Sequence, residues 1–223
     1  MNTAMALSPL ASLAAAGGDT PGLAERHAPA SDPAERELVR RARAGDDAAR
    51  EELAVNHRRA AYLLALQLLG NRDDALDATQ DALLRFFSTL DRFRPEQPVR
   101  PWLYSIVRNR CRDLMRRARV RRAEPLESDE EHWRPEIIDE KADTELDARR
   151  AELRRRVFTA MGGLRREHRE ILVLRDYQDL SYDEIARVLG VPRGTVMSRL
   201  HRARKALGAL LREQGVPFGE RTP

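Results

Sequence analysis

From Pro33 onward apolar residues recur three and four positions apart, and the β-branched runs that favour strands are scarce. One helix is predicted over Ala34–Ala44, ending at Gly45. A second starts at Asp46 or Asp47, whose carboxylates suit an N-cap, and runs to Leu69, where Gly70-Asn71 stops it. A third extends from Asp73 or Asp74 to about Leu90. The loop RFRPEQPVRP, with its three prolines, leads into a fourth helix over Arg100–Arg122. A stretch poor in apolar residues follows, and helical spacing returns over Leu146–Ala160, Arg166–Asp176, Ser181–Leu189 and Arg193–Leu211.

Composition narrows this to two small modules. Of 223 residues, 42% are hydrophobic, 5% aromatic and 34% charged, which suits small helical cores with broad polar faces. Residues 1–33 are rich in Ala, Gly, Pro and Ser without periodicity and are expected to be disordered. The first module then spans 34–122, an acidic linker 123–145, the second module 146–213 and a short polar tail 214–223. The expected fold class is all-α: an N-terminal helical bundle and a C-terminal helix-turn-helix domain joined by a flexible acidic linker.

Charge is strongly segregated behind a net value of only +4. Residues 100–122 hold nine arginines against Asp113 alone, whereas Glu124 to Asp147 hold eleven acids against Arg134 and Lys141. The first block points to polyanion binding, the second to a solvated or polyanion-mimicking segment. Only Lys141 and Lys205 are lysines. Arginine grips phosphate and guanine bidentately, though a GC-rich genome produces the same bias. Cys111 is the single cysteine and the five histidines lie far apart in sequence, so neither a disulfide framework nor a metal or cofactor site is expected. The N-terminus lacks the basic segment and apolar run of a signal peptide, no stretch matches a membrane span, and the chain reads as cytoplasmic.

The most specific motif is SYDEIARVLGVPRGTVMSRLHRARKAL. Ser181 and Glu184 form the S-x-x-E capping box, Ile185, Ala186 and Leu189 supply a buried side, and Gly190 ends the helix. Val191-Pro192 then turn the chain into a second helix. Projected at about 100° per residue, Val196, Leu200, Ala203 and Leu207 share one stripe. Ser198, His201, Arg202 and Lys205 share the opposite face, with Met197 at its edge. Arg193 and Thr195 stand at the helix start, where a recognition helix reaches bases and phosphates. These are the parts of a helix-turn-helix, which alone fits a repressor, an activator or a recombinase.

In the third helix, Ala75, Leu76, Thr79, Leu83, Phe86, Phe87 and Leu90 project to one side. Asp74, Asp77 and Asp81 line the other with Gln80 and Leu84, as expected either of a docking face for a basic protein surface or of a solvated acidic face. In the fourth helix, Leu103, Ile106, Val107 and Leu114 form the apolar side with Cys111 at its border. Ser105, Arg108, Asn109, Arg112 and Arg116 lie opposite, and Trp102 falls near them. Arginines grip phosphates, Asn offers a donor and an acceptor to a base edge, and an aromatic stacks on an unpaired base. Trp102 also reads as a partly buried packing residue.

The two segments DRFRPEQPVRPWLYSIVRNRCRDLMRR, preceded by DDALDATQDALLRFF, and HREILVLRDYQDLSYDEIARVLGVPRGTVMSRLHRARKAL together resemble bacterial sigma factors of the extracytoplasmic-function group. The resemblance covers about residues 35–122 and 146–212. It implies a non-enzymatic initiation factor that joins core RNA polymerase, with Asp74, Asp77, Gln80, Asp81 and Leu84 facing the clamp helices of the largest subunit. It also implies contact with the flap of the second largest subunit. By the same resemblance the loop Phe93–Pro101 and Trp102, Arg108, Asn109, Arg112 and Arg116 open and read the minus-ten element. Arg193, Thr195, Ser198, Arg199, His201, Arg202 and Lys205 serve the minus-thirty-five element, the acidic linker threads polymerase channels, and an anti-sigma protein is the expected regulator.

A helix-turn-helix regulator acting apart from polymerase is the rival reading. A recombinase-like enzyme lacks support, because the sequence carries no nucleophile elbow, metal cluster or phosphate-binding glycine loop.

Overall fold

Capping chemistry sets several of the helix boundaries in the described residues, 32–122 and 145–216, of the computed structural model. The predicted extension up to residue 31, the acidic linker over 123–144 and the tail from 217 lie outside them. Helix α1 (Pro33–Arg43) starts where the Asp32 carboxylate accepts the Ala34 N–H at 3.0 Å, with Pro33 in the first turn. Helix α2 (Asp47–Leu69) starts at Asp46, which accepts the Ala49 N–H at 3.1 Å, and stops at Gly70 in the left-handed conformation, φ 74°. Asn71 does more than help end that helix. Its side chain caps α3 (Arg72–Ser88) by accepting the Asp74 N–H at 2.9 Å, so α3 starts slightly earlier than predicted. A 3₁₀ turn over Leu90–Arg92 and the proline loop lead to α4 (Val99–Arg122), whose first turn takes Pro101 without losing an intrahelical bond.

Helix α2 packs against α1, α3 and α4. Its buried Ala49, Leu53, Ala61, Leu64, Ala65 and Leu68 meet Ala75, Ala78, Ala82 and Phe86 of α3 and Leu103, Val107 and Cys111 of α4. The alanines let backbones approach closely, so the buried side of α3 is centred on Ala78 and Ala82. Leu76, projected to the buried side, is instead 49% exposed. A projection weighted toward large apolar residues misplaces this face because small residues make the tight contact.

The second module comprises α5 (Glu145–Gly162), α6 (Arg166–Leu172), α7 (Tyr182–Leu189) and α8 (Arg193–Glu213). Sequence spacing predicts one helix from Arg166 to Asp176, but the last part widens into a π turn over Val173–Tyr177. There the Gln178 N–H reaches back five residues to the Val173 carbonyl at 3.0 Å, and Asp179 follows at φ 50°. Arg175 secures the exit by donating to the Leu180 carbonyl at 2.8 Å. Ser181 and Glu184 form the predicted capping box, with both reciprocal bonds in place. Gly190 terminates α7 at φ 67°, and the Val191 N–H bonds the Ala186 carbonyl at 3.1 Å.

The modules also touch each other. Helix α4 packs on α7, and α2 packs on the π turn. Local spacing gives no hint of this contact, because it pairs residues more than sixty positions apart.

Candidate nucleic-acid interfaces

Helix α8 follows its predicted register. Val196, Leu200, Ala203, Leu207 and Leu211 are buried, while Arg193, Ser198, His201, Arg202 and Lys205 stand exposed. Gly194, in the first turn, leaves its surroundings open enough that an added Cβ meets nothing within 4 Å. Arg202 folds back on its own helix, its Nε donating to the Ser198 carbonyl at 3.2 Å. Thr195 and Arg199 are only partly exposed, and Arg199 lies 3.6 Å from Glu167 of α6. Arg193 lies 3.7 Å from Asp183 of α7. These are loose surface pairs that leave the guanidinium groups accessible to a competing phosphate. Positive charge is concentrated here: burial and then the charges of Arg165 and Arg202 hold the His168 imidazole below its ordinary range, with Arg199 adding to the effect.

Helix α4 departs from its prediction at one position. Asn109, Arg112 and Arg116 are exposed, with Arg116 3.4 Å from Asp113. Trp102 is partly buried, stacked on Phe93 at 4.7 Å between ring centres and tilted against Phe86 at 5.0 Å. Its packing role is therefore real, and the aromatic cluster ties the proline loop to α3. Arg108 does not lie on an open face. It is 8% exposed, and its Nη2 donates to the Glu170 carboxylate of α6 at 3.2 Å. The physical reason is docking: the polar arc of α4 is where the second module packs, and Glu170 compensates the charge.

Beside that pair, the Tyr104 hydroxyl donates to Gln178 Oε1 at 2.7 Å, and Arg100 Nη2 donates to the Gln178 carbonyl at 2.9 Å. Burial and then the charge of Glu170 push the Cys111 thiol up to about 12, so this cysteine is an inert core residue. Sequence reasoning missed Tyr104, Glu170 and Gln178 as participants. The one available trace is Arg100 at helical spacing from Tyr104, and it does not name the partner.

On α3, Asp74, Asp77, Gln80 and Leu84 are exposed along one face, and Leu84 is 69% exposed. Leu76 and Asp73 join the same surface. Asp81 differs, being partly buried and paired with Arg110 of α4. Acidic groups around uncovered leucines suit a basic protein surface better than nucleic acid.

Comparison with known proteins agrees with both modules. Residues 53–121 match sigma-70 region 2, and residues 154–207 match sigma-70 region 4. The ECF RNA polymerase sigma factor SigM of Mycobacterium tuberculosis is 37% identical over 170 residues, covering 75% of this chain and 80% of the relative. SigE of Mycolicibacterium smegmatis, also an ECF sigma factor, is 36% identical over 173 residues, covering 73% of this chain; the match spans only 63% of that relative's length. The solved structure of CnrH in complex with the cytosolic domain of CnrY superposes with a TM-score of 0.61 at 31% identity, covering 81% of this chain and 99% of that one. The region 2 and region 4 folds, met in one chain in this order and at this identity, place it among the extracytoplasmic-function RNA polymerase sigma factors, which are transcription initiation factors and not enzymes.

Proposed function

We propose that the chain joins core RNA polymerase and divides promoter recognition between α8 and α4. The observation that carries this reading is the presence, in one chain, of an open basic recognition helix and a basic α4 beside an acidic face with uncovered leucines. On α8, Arg193, Thr195, Ser198, Arg199, His201, Arg202 and Lys205 address the minus-thirty-five duplex, with phosphates drawn to the helix start and base edges to the exposed face. On α4, Asn109, Arg112 and Arg116 address the minus-ten strand, and Trp102 contributes through the edge that its aromatic partners leave uncovered. Arg108 joins them only when Glu170 lets go.

Asp74, Asp77, Gln80 and Leu84 dock on the clamp helices of the largest polymerase subunit, with Asp81 tethered to Arg110 at the rim. The second module meets the flap of the second largest subunit, and the acidic 123–145 segment runs through channels later used by RNA. The domain limits 34–122 and 146–213 belong to the same reading. Among the described residues no helix is long and apolar enough to cross a membrane, and the site of action is the cytoplasm, where polymerase works. An anti-sigma protein is the expected regulator, in keeping with CnrH having been solved with the cytosolic domain of CnrY.

The test is reconstitution: purified chain added to core polymerase is expected to start transcripts at promoters that core alone ignores. Tight binding to duplex promoter DNA without any gain in initiation would favour a regulator acting apart from polymerase. Asp77→Arg is the better docking variant, because Asp81→Arg would also set two arginines against each other at Arg110. It is expected to abolish core binding at unchanged helix content.

A further inference from the structure

One apolar side chain stands uncovered within the polar face of α8. We propose that Met197 is a specificity-determining residue of this helix and seats its thioether against the C5-methyl group of a thymine in the minus-thirty-five major groove. The proposal rests on the assignment of α8 to that duplex made above, and adds to it the base that this position selects.

Met197 opens the second turn of α8 and is 52% exposed. A scattered surface hydrophobe is ordinary, but this one lies among Arg193, Ser198, His201 and Arg202, all of them exposed. At about 100° per residue it falls about 40° from both Arg193 and His201 and about 60° from Gly194.

Gly194 supplies the second observation. Its φ is not positive, and an added Cβ meets nothing within 4 Å, so neither the turn nor packing within the chain calls for glycine there. Glycine is unfavourable in a helix, and a bare position is explained by the close approach of something outside the chain. This one lies near the middle of the outward face, in the N-terminal part of the helix that enters a groove. Helical side chains lean back over the preceding turn, so Met197 reaches toward the same spot.

The chemistry selects the base. In the major groove all base pairs offer donors or acceptors, and among the four ordinary bases thymine alone adds a methyl group. A thioether on three rotatable bonds is a poor hydrogen-bonding group but adapts its shape to an apolar knob. The polar readers Ser198 and Arg202 lie on the other side of the face. There Arg202 Nε donates to the Ser198 carbonyl at 3.2 Å and Nη2 donates to the Ser198 hydroxyl at 3.5 Å. Covering the methyl with Met197 takes apolar surface of both partners out of water and adds no phosphate contact.

The experiment selects duplexes from a library with a randomised core, using the full chain alone and the chain with core polymerase. The enriched duplex is then remade with deoxyuridine at each thymine in turn, which removes the methyl and keeps every hydrogen-bonding group. At one thymine, wild-type affinity is expected to fall about fourfold, the worth of one buried methyl. Met197→Ala is expected to bind the thymine and deoxyuridine duplexes equally, with the salt dependence of the wild type. Met197→Leu keeps an apolar side chain of similar volume and is expected to retain most of the discrimination. Arg202→Ala is expected to retain it in full. Met197 is exposed, so its variants are expected to keep wild-type helix content.

Methyl dependence that persists in Met197→Ala would assign the contact to another group, such as the partly exposed Thr195, and would overturn the proposal. An enriched site indifferent to every thymine methyl would also overturn it, while leaving α8 as a duplex reader. Enrichment of no site in either selection would instead overturn the duplex reading of α8, and the base assigned to Met197 with it.

Discussion

Two arginine-bearing helices, α4 and α8, look alike in sequence and stand in different situations in the fold. On α8 the apolar stripe Val196, Leu200, Ala203 and Leu207 is buried and the basic face looks outward. On α4 the apolar stripe Leu103, Val107 and Cys111 is equally buried, yet part of the polar face meets a second surface, and Arg108 has exchanged solvent for Glu170. Helical periodicity tells which side of a helix is apolar. It does not tell whether the polar side meets water, nucleic acid or another part of the same chain. A face that must bind a polyanion is also the face most easily held by the chain's own carboxylates.

The largest effect expected from breaking this comparison is on Arg108 itself. Arg108→Ala leaves Glu170 buried and unpaired, and the cost expected of such a truncation is about 3–5 kcal/mol, measured as lost stability in urea unfolding. Arg112→Ala, one turn further along and exposed, is expected to change stability by no more than about 0.5 kcal/mol. Equal stability losses in the two variants would erase the distinction between covered and open arginines on α4. Next in size is Arg202→Ala on the open α8. It is expected to weaken minus-thirty-five binding by about 1–3 kcal/mol, read as reduced discrimination between matched and mismatched duplexes. A uniform loss on all duplexes, with a shallower salt dependence, would make Arg202 a phosphate contact.

The helices were legible because their ends are chemically marked. Asp32, Asp46 and Ser181 each supply a side-chain oxygen to an early N–H, and Gly70 and Gly190 supply the left-handed stops. The recognition stripe of α8 was legible for the same reason that it is open: nothing but its own module determines it. Three features escaped. The run VLRDY has ordinary helical composition, so the π turn depends on where Gln178 and Leu180 find their partners. The buried side of α3 turns on Ala78 and Ala82, whose small size is a packing asset that hydrophobicity underrates. Glu170 and Gln178 have no local signature at all, since their role exists only once α6 and the π turn meet α4.

A smaller effect tests how the boundary of α7 supports its packing on α4. Ser181 is buried; its N–H and hydroxyl both donate to the Glu184 carboxylate at 2.8 Å, and its oxygen accepts the Glu184 N–H at 3.3 Å. Ser181→Ala is expected to cost about 1 kcal/mol in thermal unfolding and, by fraying the start of α7, to loosen the contact with α4. Ser181→Thr keeps the oxygen and is expected to recover most of the loss.

The smallest expected effect is a pH dependence, and it distinguishes the open face from the covered one. On α6, burial first and then the charges of Arg165, Arg202 and Arg199 hold the His168 imidazole below the ordinary value of 6.5, with Glu167 acting in the opposite sense. In the window just below 6.5 the unfolded chain binds the proton and the folded chain does not, so stability falls as pH drops through that window. Phosphates placed against Arg199 and Arg202 cancel the repulsion and raise the imidazole again, so binding takes up a proton there. Affinity for a minus-thirty-five duplex is therefore expected to rise about two- to threefold as pH falls through the same window, at constant salt. His201 is exposed on the same face, so His168→Gln and His201→Gln are compared to locate the effect. The α4 residues assigned to single-stranded DNA, Trp102, Asn109, Arg112 and Arg116, include no histidine, and their binding is expected to stay flat with pH. If His168→Gln leaves the duplex dependence intact, the proton is taken up elsewhere and the concentrated charge at the start of α6 plays no part in gripping the duplex.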